Sequence, residues 1–490
     1  MASSQVIEAL KEALPTGKFV ERGTEHFQDL NSSYLSTLES DLQPAYIFQP
    51  RNKEEVVIFI QAINTFIESV KFAIRGAGCQ PVPGCANIQD GITLDLSLLT
   101  GIDIKDGSVQ VGAGERWGSV YQKLDGEGLG VCGSRSSNGG IGGLALEGGL
   151  SFFSSREGFI CDNVLNYEIV LASGKICNAN SQENKDLWVA LRGGGNNLGV
   201  VTRFDCKTFK QGKIWGGSVF YFPPSFPGQI EALVKELKDP NASKETHLMI
   251  SIGYSAAVGP QIMCLNQPYF TDAVENPPVL DPFTKIEPQI GFMNTMRLHT
   301  LKEAAEEQAG AHQRLVRCAY MNITVKADVP TLQRASKIYT AEIDHLDEHG
   351  NPRDPEPPIR SVENGLFSLT LQPYPLSLLE KSASNGGNSL GLNTNDGPLV
   401  SILLMSIWKN ETDDDVVLNF MRDAIKHIKL DAEERHTLVP YVYMNYAFSH
   451  QDPIESYGAE NHERLQAASK KYDPEGLFQR ACPGGFKLFT

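Results

Sequence analysis

A chain of 490 residues is longer than one ordinary domain, so two or three hydrophobic cores are expected. The formal net charge of -16, without any Lys/Arg-rich run, argues against nucleic-acid binding. No stretch approaches the roughly twenty apolar residues that a membrane span requires, and the N-terminus lacks the apolar segment of a signal peptide. We therefore expect a cytoplasmic protein without nucleic-acid or membrane partners.

Up to about residue 208, short apolar runs alternate with glycine-rich turns, a pattern typical of closely spaced β-strands. The clearest runs are GITLDLSLL (91–99), GSVQVGAG (107–114) and NYEIVLASGKI (166–176). The stretch GSVYQKLDGEGLG (118–130) predicts a short helix that ends at glycine.

From about residue 209, predicted strands alternate with long amphipathic helices. Helical spacing is found in PGQIEALVKELKD (227–239), VPTLQRASKIYTAEIDHLDEHG (329–350), ETDDDVVLNFMRDAIKHIK (411–429) and AENHERLQAASKK (459–471). Strands are predicted at HLMISIGYS (247–255), AYMNITVKA (319–327), LFSLTLQPY (366–374), LVSILLMSIW (399–408) and LVPYVYMNYAF (438–448). Loops are predicted at NPRDPEPPIR (351–360) and SASNGGNSLGLNTNDG (382–397).

Together these patterns predict an α+β protein. We place one domain at residues 1–208 and a second at 209–434, with a C-terminal segment, 435–490, that returns to the first domain. Nine cysteines without a C-x-x-C pair indicate neither a disulfide framework nor a zinc site, so no metal is predicted. Four sequons, at Asn31, Asn241, Asn322 and Asn410, keep secretion open if a leader has been removed. The oligomeric state stays open.

Three glycine-rich segments point to a ligand. They are RGAG (75–78), SSNGGIGGLALEGG (136–149) and RGGGNNLG (192–199). Consecutive backbone N–H groups in such turns can surround a phosphate, and glycine allows close approach of the backbone. Neither the strand-to-helix G-x-G-x-x-G motif nor a phosphate loop is present. The residues themselves therefore predict a large, phosphate-bearing ligand of another kind.

Five motifs in order resemble the fungal branch of the FAD-linked oxidases that includes berberine bridge enzyme, in the vanillyl alcohol oxidase superfamily. The motifs are AIRGAGCQPVPG, GGIGGLALEGGLSFFSSREGFICDNVLNYEIVLASGK, ENKDLWVALRGGGNNLGVVTRF, YMNYAF and YDPEGLFQ. The resemblance implies a bipartite FAD-binding domain of the p-cresol methylhydroxylase type. It also implies a substrate domain with an antiparallel sheet covered by helices.

The resemblance also implies where each part of FAD lies. The backbone around the pyrophosphate is that of Arg75, Gly76, Ala77, Gly78 and Cys79. The segment beside the ribityl chain and ring contains Ser136, Ser137, Gly140, Gly142 and Gly143. The chain turns back along the domain at Asp162 and Asn163, and it approaches the adenine end with Gly195, Asn196 and Val200. The amide of Asn445 reaches the pyrimidine edge, where it supplies both a donor and an acceptor.

Both usual attachment residues of the family are absent. Cys79 stands where a histidine bonded to the flavin's 8α carbon is usual, and Ser136 stands where many members have a cysteine bonded to C6. We favour non-covalent FAD with Cys79 as a small space-filler. The alternatives are an 8α-S-cysteinyl link, favoured by a nearby cation such as Arg75, and a protein that has lost flavin.

The segment YVYMNYAF (441–448) holds the candidate catalytic residues. An extended chain would place Tyr441, Tyr443 and Asn445 on one face. The family's substrate-side tyrosine maps onto Tyr443 or Tyr446, and we favour Tyr446 as the general base. Where plant members have a glutamate base, this chain has Gln372.

The resemblance predicts an FAD-dependent oxidoreductase, an oxidase or dehydrogenase of secondary metabolism. Hydride would pass from a small organic metabolite, a polyketide or alkaloid, to flavin N5, and O2 would reoxidise the flavin. The alternatives are a flavin-fold cyclase with non-redox FAD and a binding protein without turnover.

Overall fold

The structure of the protein, a computed structural model, describes residues 2–310, 315–346 and 359–489. Within these residues the strands form four sheets of four, six, four and eight strands. Helices cover the sheets, which confirms the predicted α+β class. The predicted loop at 351–360 lies almost wholly outside the described residues.

The first two sheets come from the first 210 residues. Their strands are β1 Lys18–Glu21, β2 Tyr46–Gln49, β3 Phe72–Arg75, β4 Ile92–Asp95, β5 Ile102–Lys105, β6 Ser108–Gly112, β7 Leu129–Val131, β8 Val164–Val170, β9 Ile176–Asn180 and β10 Val200–Lys210. The strand order is β1-β2-β4-β3 in one sheet and β5-β6-β10-β8-β9 in the other, with β7 also paired to β10. Strand β4 pairs in parallel with β2 and β3, whereas the second sheet is antiparallel. The three predicted runs correspond to β4, β6 and β8–β9.

The other two sheets come mainly from the middle of the chain. Their strands are β11 Ile214–Gly216, β12 Val219–Tyr221, β13 Thr246–His247, β14 Ile250–Ser255, β15 Ile262–Asn266, β16 Tyr269–Phe270, β17 Gln289–Asn294, β18 Arg297–His299, β19 Arg317–Lys326, β20 Leu366–Tyr374, β21 Leu399–Trp408 and β22 Leu438–Val439. The four-stranded sheet has the order β13-β16-β11-β18, and the eight-stranded sheet the order β17-β12-β15-β14-β20-β21-β19-β22. Both are antiparallel, as predicted for the substrate domain.

The helices are shorter in the first half of the chain than in the second. The helices are α1 Ala2–Ala13, α2 Glu25–Asn31, α3 Thr37–Ser40, α4 Lys53–Thr65, α5 Trp117–Asp125, α6 Ile141–Leu146, α7 Ser154–Glu157, α8 Lys185–Leu191, α9 Phe226–Lys238, α10 Asp281–Thr284, α11 Leu301–Ala309, α12 Val329–Ile343, α13 Leu376–Ser384, α14 Asp414–Glu434, α15 Ala459–Tyr472 and α16 Leu477–Arg480. In α14, Val417, Met421, Ala424 and Ile428 are buried at helical spacing, which confirms the amphipathic pattern. None of the described helices is long and apolar enough to cross a membrane.

Two large hydrophobic cores lie on either side of the junction near residue 210. The first contains residues from the N-terminal half and also Leu477, Phe478 and Leu488 from the C-terminal segment. The backbone N–H of Phe72 donates to the Ala481 carbonyl at 2.8 Å, so the chain's end is joined to β3. The second core lies between the eight-stranded sheet and helices α9, α12 and α14. The predicted division at residues 208 and 434 stays a prediction, and these two cores support it.

The segment 438–448 differs from the predicted strand. Only Leu438–Val439 pairs in a sheet, and Met444–Tyr446 forms a 3-10 turn. The expected alternation of faces is therefore wrong, because a 3-10 turn places successive side chains about 120° apart rather than on opposite sides. Backbone groups of Tyr443 instead bond the side chain of Asn322 on β19, at 2.9 and 3.0 Å. That anchor, rather than strand pairing, fixes the aromatic segment.

Candidate functional site

A cavity of about 700 Å³ separates the glycine-rich segments from the eight-stranded sheet. This volume is within the range of small-molecule and cofactor sites. Most of the predicted site residues line it, namely Gly76, Ala77, Gly78, Cys79, Ser136, Gly140, Gly142, Gly143, Gly195, Asn196, Val200, Tyr443, Asn445 and Tyr446. The structure thus brings together residues from four distant parts of the chain.

The first two glycine segments contact each other at Gly140. A Cβ on Gly140 would lie 2.4 Å from the Cβ of Ala77, so only glycine permits this approach. The guanidinium of Arg116 strengthens the junction, because it donates to the carbonyls of both Ala77 and Asn138. The sequence contained no signal for this arginine, since its contacts are to backbone carbonyls far away in the chain.

The third glycine segment is joined to the second by backbone hydrogen bonds. The N–H groups of Gly193 and Gly195 both donate to the Leu146 carbonyl, at 3.0 and 3.1 Å. The side chain of Asn196 is held in turn by Lys487, whose ammonium donates to the amide oxygen at 2.9 Å. Burial lowers the pKa of Lys487. These contacts hold the third glycine segment in place where it lines the cavity.

The three glycine-rich segments, 75–78, 136–149 and 192–199, form one wall of the cavity, which we call the glycine wall. Its glycines leave space that side chains would otherwise fill. Apart from chain neighbours and the backbone of the same helix, no described atom lies within 4 Å of the position that a Cβ would take on Gly76, Gly142 or Gly143. A groove of bare backbone, open on one side to a 700 Å³ cavity, fits an extended cofactor held by its phosphates and ring edges. The residues present therefore fit FAD.

Four predicted cofactor residues lie outside the lining of the cavity. The guanidinium of Arg75 stacks 3.8 Å above the ring of Tyr34 and donates to the Leu30 carbonyl and the Ser33 hydroxyl. The backbone of Ser137 instead joins α5 and α11. For these residues the structure shows a packing role.

Asp162 and Asn163 also serve packing. The buried carboxylate of Asp162 accepts from the side chains of Ser382 and Asn388, so it joins the 3-10 turn Cys161–Asn163 to the end of α13 and the residues after it. The amide of Asn163 donates to the carbonyls of Glu157 and Phe159, at 2.8 and 2.9 Å. The Asp162 carboxylate and the Asn163 amide nitrogen are thus used within the protein, whereas the buried amide oxygen of Asn163 has no hydrogen-bond partner among the described residues.

Cys79 lines the cavity next to a different cation from the one expected. The thiol donates to the carbonyls of Ala77 and Asn138, at 3.7 and 3.6 Å. The neighbouring cation is Arg116, 3.9 Å from the sulfur, rather than Arg75, which is occupied by Tyr34. Arg116, rather than Arg75, is therefore the cation that contacts Cys79, because the guanidinium of Arg75 is bonded to Leu30 and Ser33.

Four side chains meet at the boundary between the glycine wall and the sheet. Nη2 of Arg135 donates to the hydroxyl of Tyr446 at 2.5 Å, and Nη1 donates to Oε1 of Gln372 at 3.0 Å. Gln372 also lies 3.3 to 3.4 Å from the Tyr446 hydroxyl. The ring of Tyr443 packs at 90° to that of Tyr446, with centroids 4.8 Å apart.

The same arginine contacts two more side chains. Nη1 lies 3.4 Å from Nε2 of His247 and 2.8 Å from the sulfur of Met249. Burial and the adjacent guanidinium lower the pKa of His247 well below its ordinary value, so this imidazole is neutral near pH 7. Arg135 was missed in the sequence, although it directly precedes Ser136 in a segment otherwise made of small residues.

A second polar pair involves Asn445, which directly precedes Tyr446 in the chain. The amide nitrogen of Asn445 donates to Glu147 at 2.9 Å, and its oxygen accepts from the N–H of Gly149 at 3.2 Å. Burial raises the pKa of Glu147 to about 8, so this carboxyl is mostly protonated at pH 7. Glu147 also lines the cavity.

The remaining titratable groups give no sign of a metal site. Among residues 2–310, 315–346 and 359–489, no group of three or more His, Cys, Asp or Glu side chains could hold a metal ion. All nine cysteines are free thiols.

Comparisons with known proteins agree with this geometry. The sequence profile of the FAD binding domain matches residues 44–180. The FAD-dependent monooxygenase tpcD of Cochliobolus heterostrophus is 35% identical over 490 residues, covering 96% of this chain and 92% of that protein. The FAD-dependent monooxygenase FUP4 of Fusarium proliferatum is 34% identical over 466 residues, covering 94% and 88%. Xylooligosaccharide oxidase from Myceliophthora thermophila, at 19% identity, superposes with a TM-score of 0.77 and covers 98% and 99% of the two chains.

These findings confirm the predicted FAD-binding fold and FAD as the cofactor. The likeness to the solved structure concerns the fold alone, because its sequence identity is low. The cyclase alternative is no better supported than the oxidoreductase.

Proposed function

Since this chain belongs to the family of FAD-dependent oxidoreductases represented by these monooxygenases, we propose that it oxidises a small organic metabolite by hydride transfer. The observation that carries the proposal is the position of Tyr446. Its hydroxyl faces the glycine-lined cavity and is bonded to Arg135 and Gln372. A substrate in the cavity would thus lie between a cofactor groove and a proton-transferring side chain.

The glycine wall would hold FAD. The proposed contacts are those of the lining residues Gly76, Ala77, Gly78, Cys79, Ser136, Gly140, Gly142, Gly143, Gly195, Asn196, Val200 and Asn445. Bound FAD supplies a hydride acceptor that O2 can reoxidise. We propose non-covalent binding, because the Cys79 thiol already donates to backbone carbonyls.

Tyr446 would accept the O–H or N–H proton of the substrate. Arg135 donates to the phenolic oxygen, so it holds that oxygen in place and stabilises the phenolate form, which is the form that accepts the proton. Gln372 is neutral and cannot replace a carboxylate base, which leaves Tyr446 as the better candidate. Burial raises the pKa of Tyr443 well above its ordinary value, so we assign its ring to the wall of the site rather than to proton transfer.

The side chains that the eight-stranded sheet contributes to the cavity form its other wall, which we call the sheet wall. This wall favours an apolar, ring-bearing substrate. Alternation along β20 directs Leu369 and Leu371 into the second core, whereas Thr370 and Gln372 line the cavity. Leu403, Met405 and Tyr320 from neighbouring strands line it as well. This mixture of aliphatic, sulfur and aromatic side chains suits a polyketide or alkaloid better than a sugar.

The test is an anaerobic reduction. Purified holoprotein should be yellow, and a polyketide or alkaloid substrate should bleach the flavin absorbance without O2, with recovery on exposure to air. Candidate compounds can be screened by this signal alone. A product at the oxidation level of the substrate, formed equally without O2, would contradict the proposal and favour the cyclase. A folded protein that never retains FAD would also contradict it.

A further inference from the structure

The cavity contains one cation among the described residues that line it, the guanidinium of Arg135. Much of the lining around it is apolar, including Met249, Leu403 and Met405. A positive charge in such surroundings is costly unless an opposite charge or several acceptors compensate it. Whether a ligand can supply the compensating charge therefore depends on the groups that already contact Arg135.

The partners of Arg135 within the described chain are all neutral. They are the Tyr446 hydroxyl, the Gln372 amide, the His247 imidazole and the Met249 thioether. All of these contacts use Nη1 or a single hydrogen of Nη2. Among the described contacts, Nε and the second Nη2 hydrogen donate to no protein group. An Nε–H and an Nη2–H lie on the same edge of a guanidinium, where they can bind one oxyanion with two parallel hydrogen bonds.

The two carboxyl groups that line the cavity do not neutralise this cation. Glu307 is paired with Arg297 at 2.7 Å and accepts from Thr295 at 2.6 Å. Glu147 accepts from the amide of Asn445, and burial raises its pKa to about 8, so this carboxyl is mostly protonated at pH 7. The cavity therefore presents an uncompensated positive charge beside the proposed base.

We propose that Arg135 binds an anionic oxygen of the substrate, a carboxylate or an acidic enolate attached to an apolar ring system. The inference rests on the proposed function, since it names the substrate class for the same cavity. The net charge of -16 gives no long-range attraction for an anion, so recognition has to come from this local contact. An anion held at Arg135 would lie next to the hydroxyl of Tyr446, which is 2.5 Å from the same guanidinium.

The test compares anionic and neutral probes that share a ring system, on the FAD-loaded protein. The pairs are 1-naphthoate with 1-naphthamide, for carboxylates, and 4-hydroxycoumarin with coumarin, for enolates. Dissociation constants come from titration calorimetry. We expect the anion of at least one pair to bind about tenfold or more tightly than its neutral partner, as for a hydrogen bond to a charged group. Which pair shows the preference identifies the source of the oxyanion.

Two site variants and one matched control test whether Arg135 causes the preference for the anionic probe. Arg135→Met removes the charge, and Gln372→Glu places a carboxylate on the atom that now lies 3.0 Å from Nη1, so both should reduce the preference to within about twofold. The neutral probes should bind these two variants, and the control given next, with the same affinity as the wild type. The control, Arg464→Met, removes an equal charge from an exposed i,i+4 ion pair on α15 and should keep the full preference.

Three results would overturn the inference. They are equal binding of anionic and neutral probes to the wild type, an unchanged preference in both site variants, and loss of FAD from Arg135→Met with FAD retained in Gln372→Glu. The last result would assign Arg135 to the cofactor instead. A wild-type protein that retains FAD and binds both probes equally would leave the proposed function standing. Failure of that function shows separately, as a folded protein without FAD or as turnover without oxidation.

Discussion

The two walls of the cavity are built from different parts of the polypeptide. The glycine wall offers backbone groups and empty positions, such as those beside Gly142 and Gly143. The sheet wall offers side chains from separate strands, such as Thr370, Leu403 and Tyr320, which reach the cavity by strand alternation. Arg135 extends from the first wall to the polar atoms of the second.

Because one wall consists of backbone and the other of side chains, we expect the glycine wall to determine affinity for FAD and the sheet wall to determine which substrate is accepted. A backbone wall binds what a chain of glycines can surround, so a change there should affect FAD whatever the substrate is. A side-chain wall can be changed one residue at a time without disturbing the fold, so it should affect turnover and selectivity while FAD remains bound. Substitutions on each wall test this separation.

On the glycine wall, we expect Gly143→Val to weaken FAD binding and to lower activity with it. Apart from chain neighbours and the backbone of the same helix, no described atom lies within 4 Å of the Cβ position of Gly143, so the new side chain would stand in the cavity rather than in the core. Overpacking of a filled site costs about 1–3 kcal/mol, which corresponds to a loss of FAD affinity of about 5- to 150-fold. The measurement is the flavin-to-protein absorbance ratio after gel filtration.

The control for this change is Gly212→Val. Gly212 is exposed and its Cβ position is equally free of neighbours, but it does not line the cavity. Circular dichroism should show both variants folded. A Gly143→Val protein that stays fully yellow would contradict the assignment of this wall to FAD.

At Tyr446, on the 3-10 turn beside the sheet wall, we expect Tyr446→Phe to lower kcat by about 100-fold with unchanged FAD content, because proton transfer by a positioned side chain contributes on that order. Tyr443→Phe is the matched control: it removes the same atom from the adjacent ring, 4.8 Å away, and should reduce kcat far less. Stopped-flow reduction of the flavin reports the step directly. Equal effects of the two changes would contradict the assignment of the base to Tyr446.

A pH-dependent stability change is expected at Glu147, where the two walls meet through Asn445. The pKa of this carboxyl is raised from 4.5 to about 8 on folding, so the stability that its protonated form contributes is complete below pH 4.5 and is lost as pH rises toward 8. Glu147→Gln keeps an acceptor for Asn445 and removes the titration. The variant's Tm should exceed that of the wild type by an amount that grows with pH, on the order of 2 °C per pH unit.

Differential scanning fluorimetry between pH 5 and pH 8 measures this difference. Glu303→Gln is a suitable control, because it also removes a carboxylate but lies in an exposed capping box on α11. Its Tm difference from the wild type should not follow the titration of Glu147. A constant difference for Glu147→Gln across the same pH range would show that the carboxyl ionises as freely in the folded protein as in the unfolded chain.

The two walls also differ in how far the sequence predicted them. Glycines at Gly76, Gly140 and Gly143 leave a local signal, because each is needed where the backbone must be bare, and most of this wall was predicted. The Arg135–Tyr446 contact joins residues 311 positions apart, so no local pattern contains it. The turn at Met444–Tyr446 was missed for a related reason: its alternating aromatic residues favour a strand, but hydrogen bonds to Asn322 override that preference.

The smallest effect on the glycine wall is expected at Cys79. Its thiol donates to two backbone carbonyls of the wall, and Ser can make the same bonds, so Cys79→Ser should retain FAD. If FAD is bound without a covalent link, acid precipitation releases the flavin into the supernatant from the wild type and the variant alike. A yellow pellet from the wild type, lost in Cys79→Ser, would instead show that Arg116, 3.9 Å from the sulfur, favours the thiolate strongly enough for a cysteinyl link. In that case the glycine wall would hold its cofactor through a side chain as well as through backbone, and its contrast with the sheet wall would be weaker.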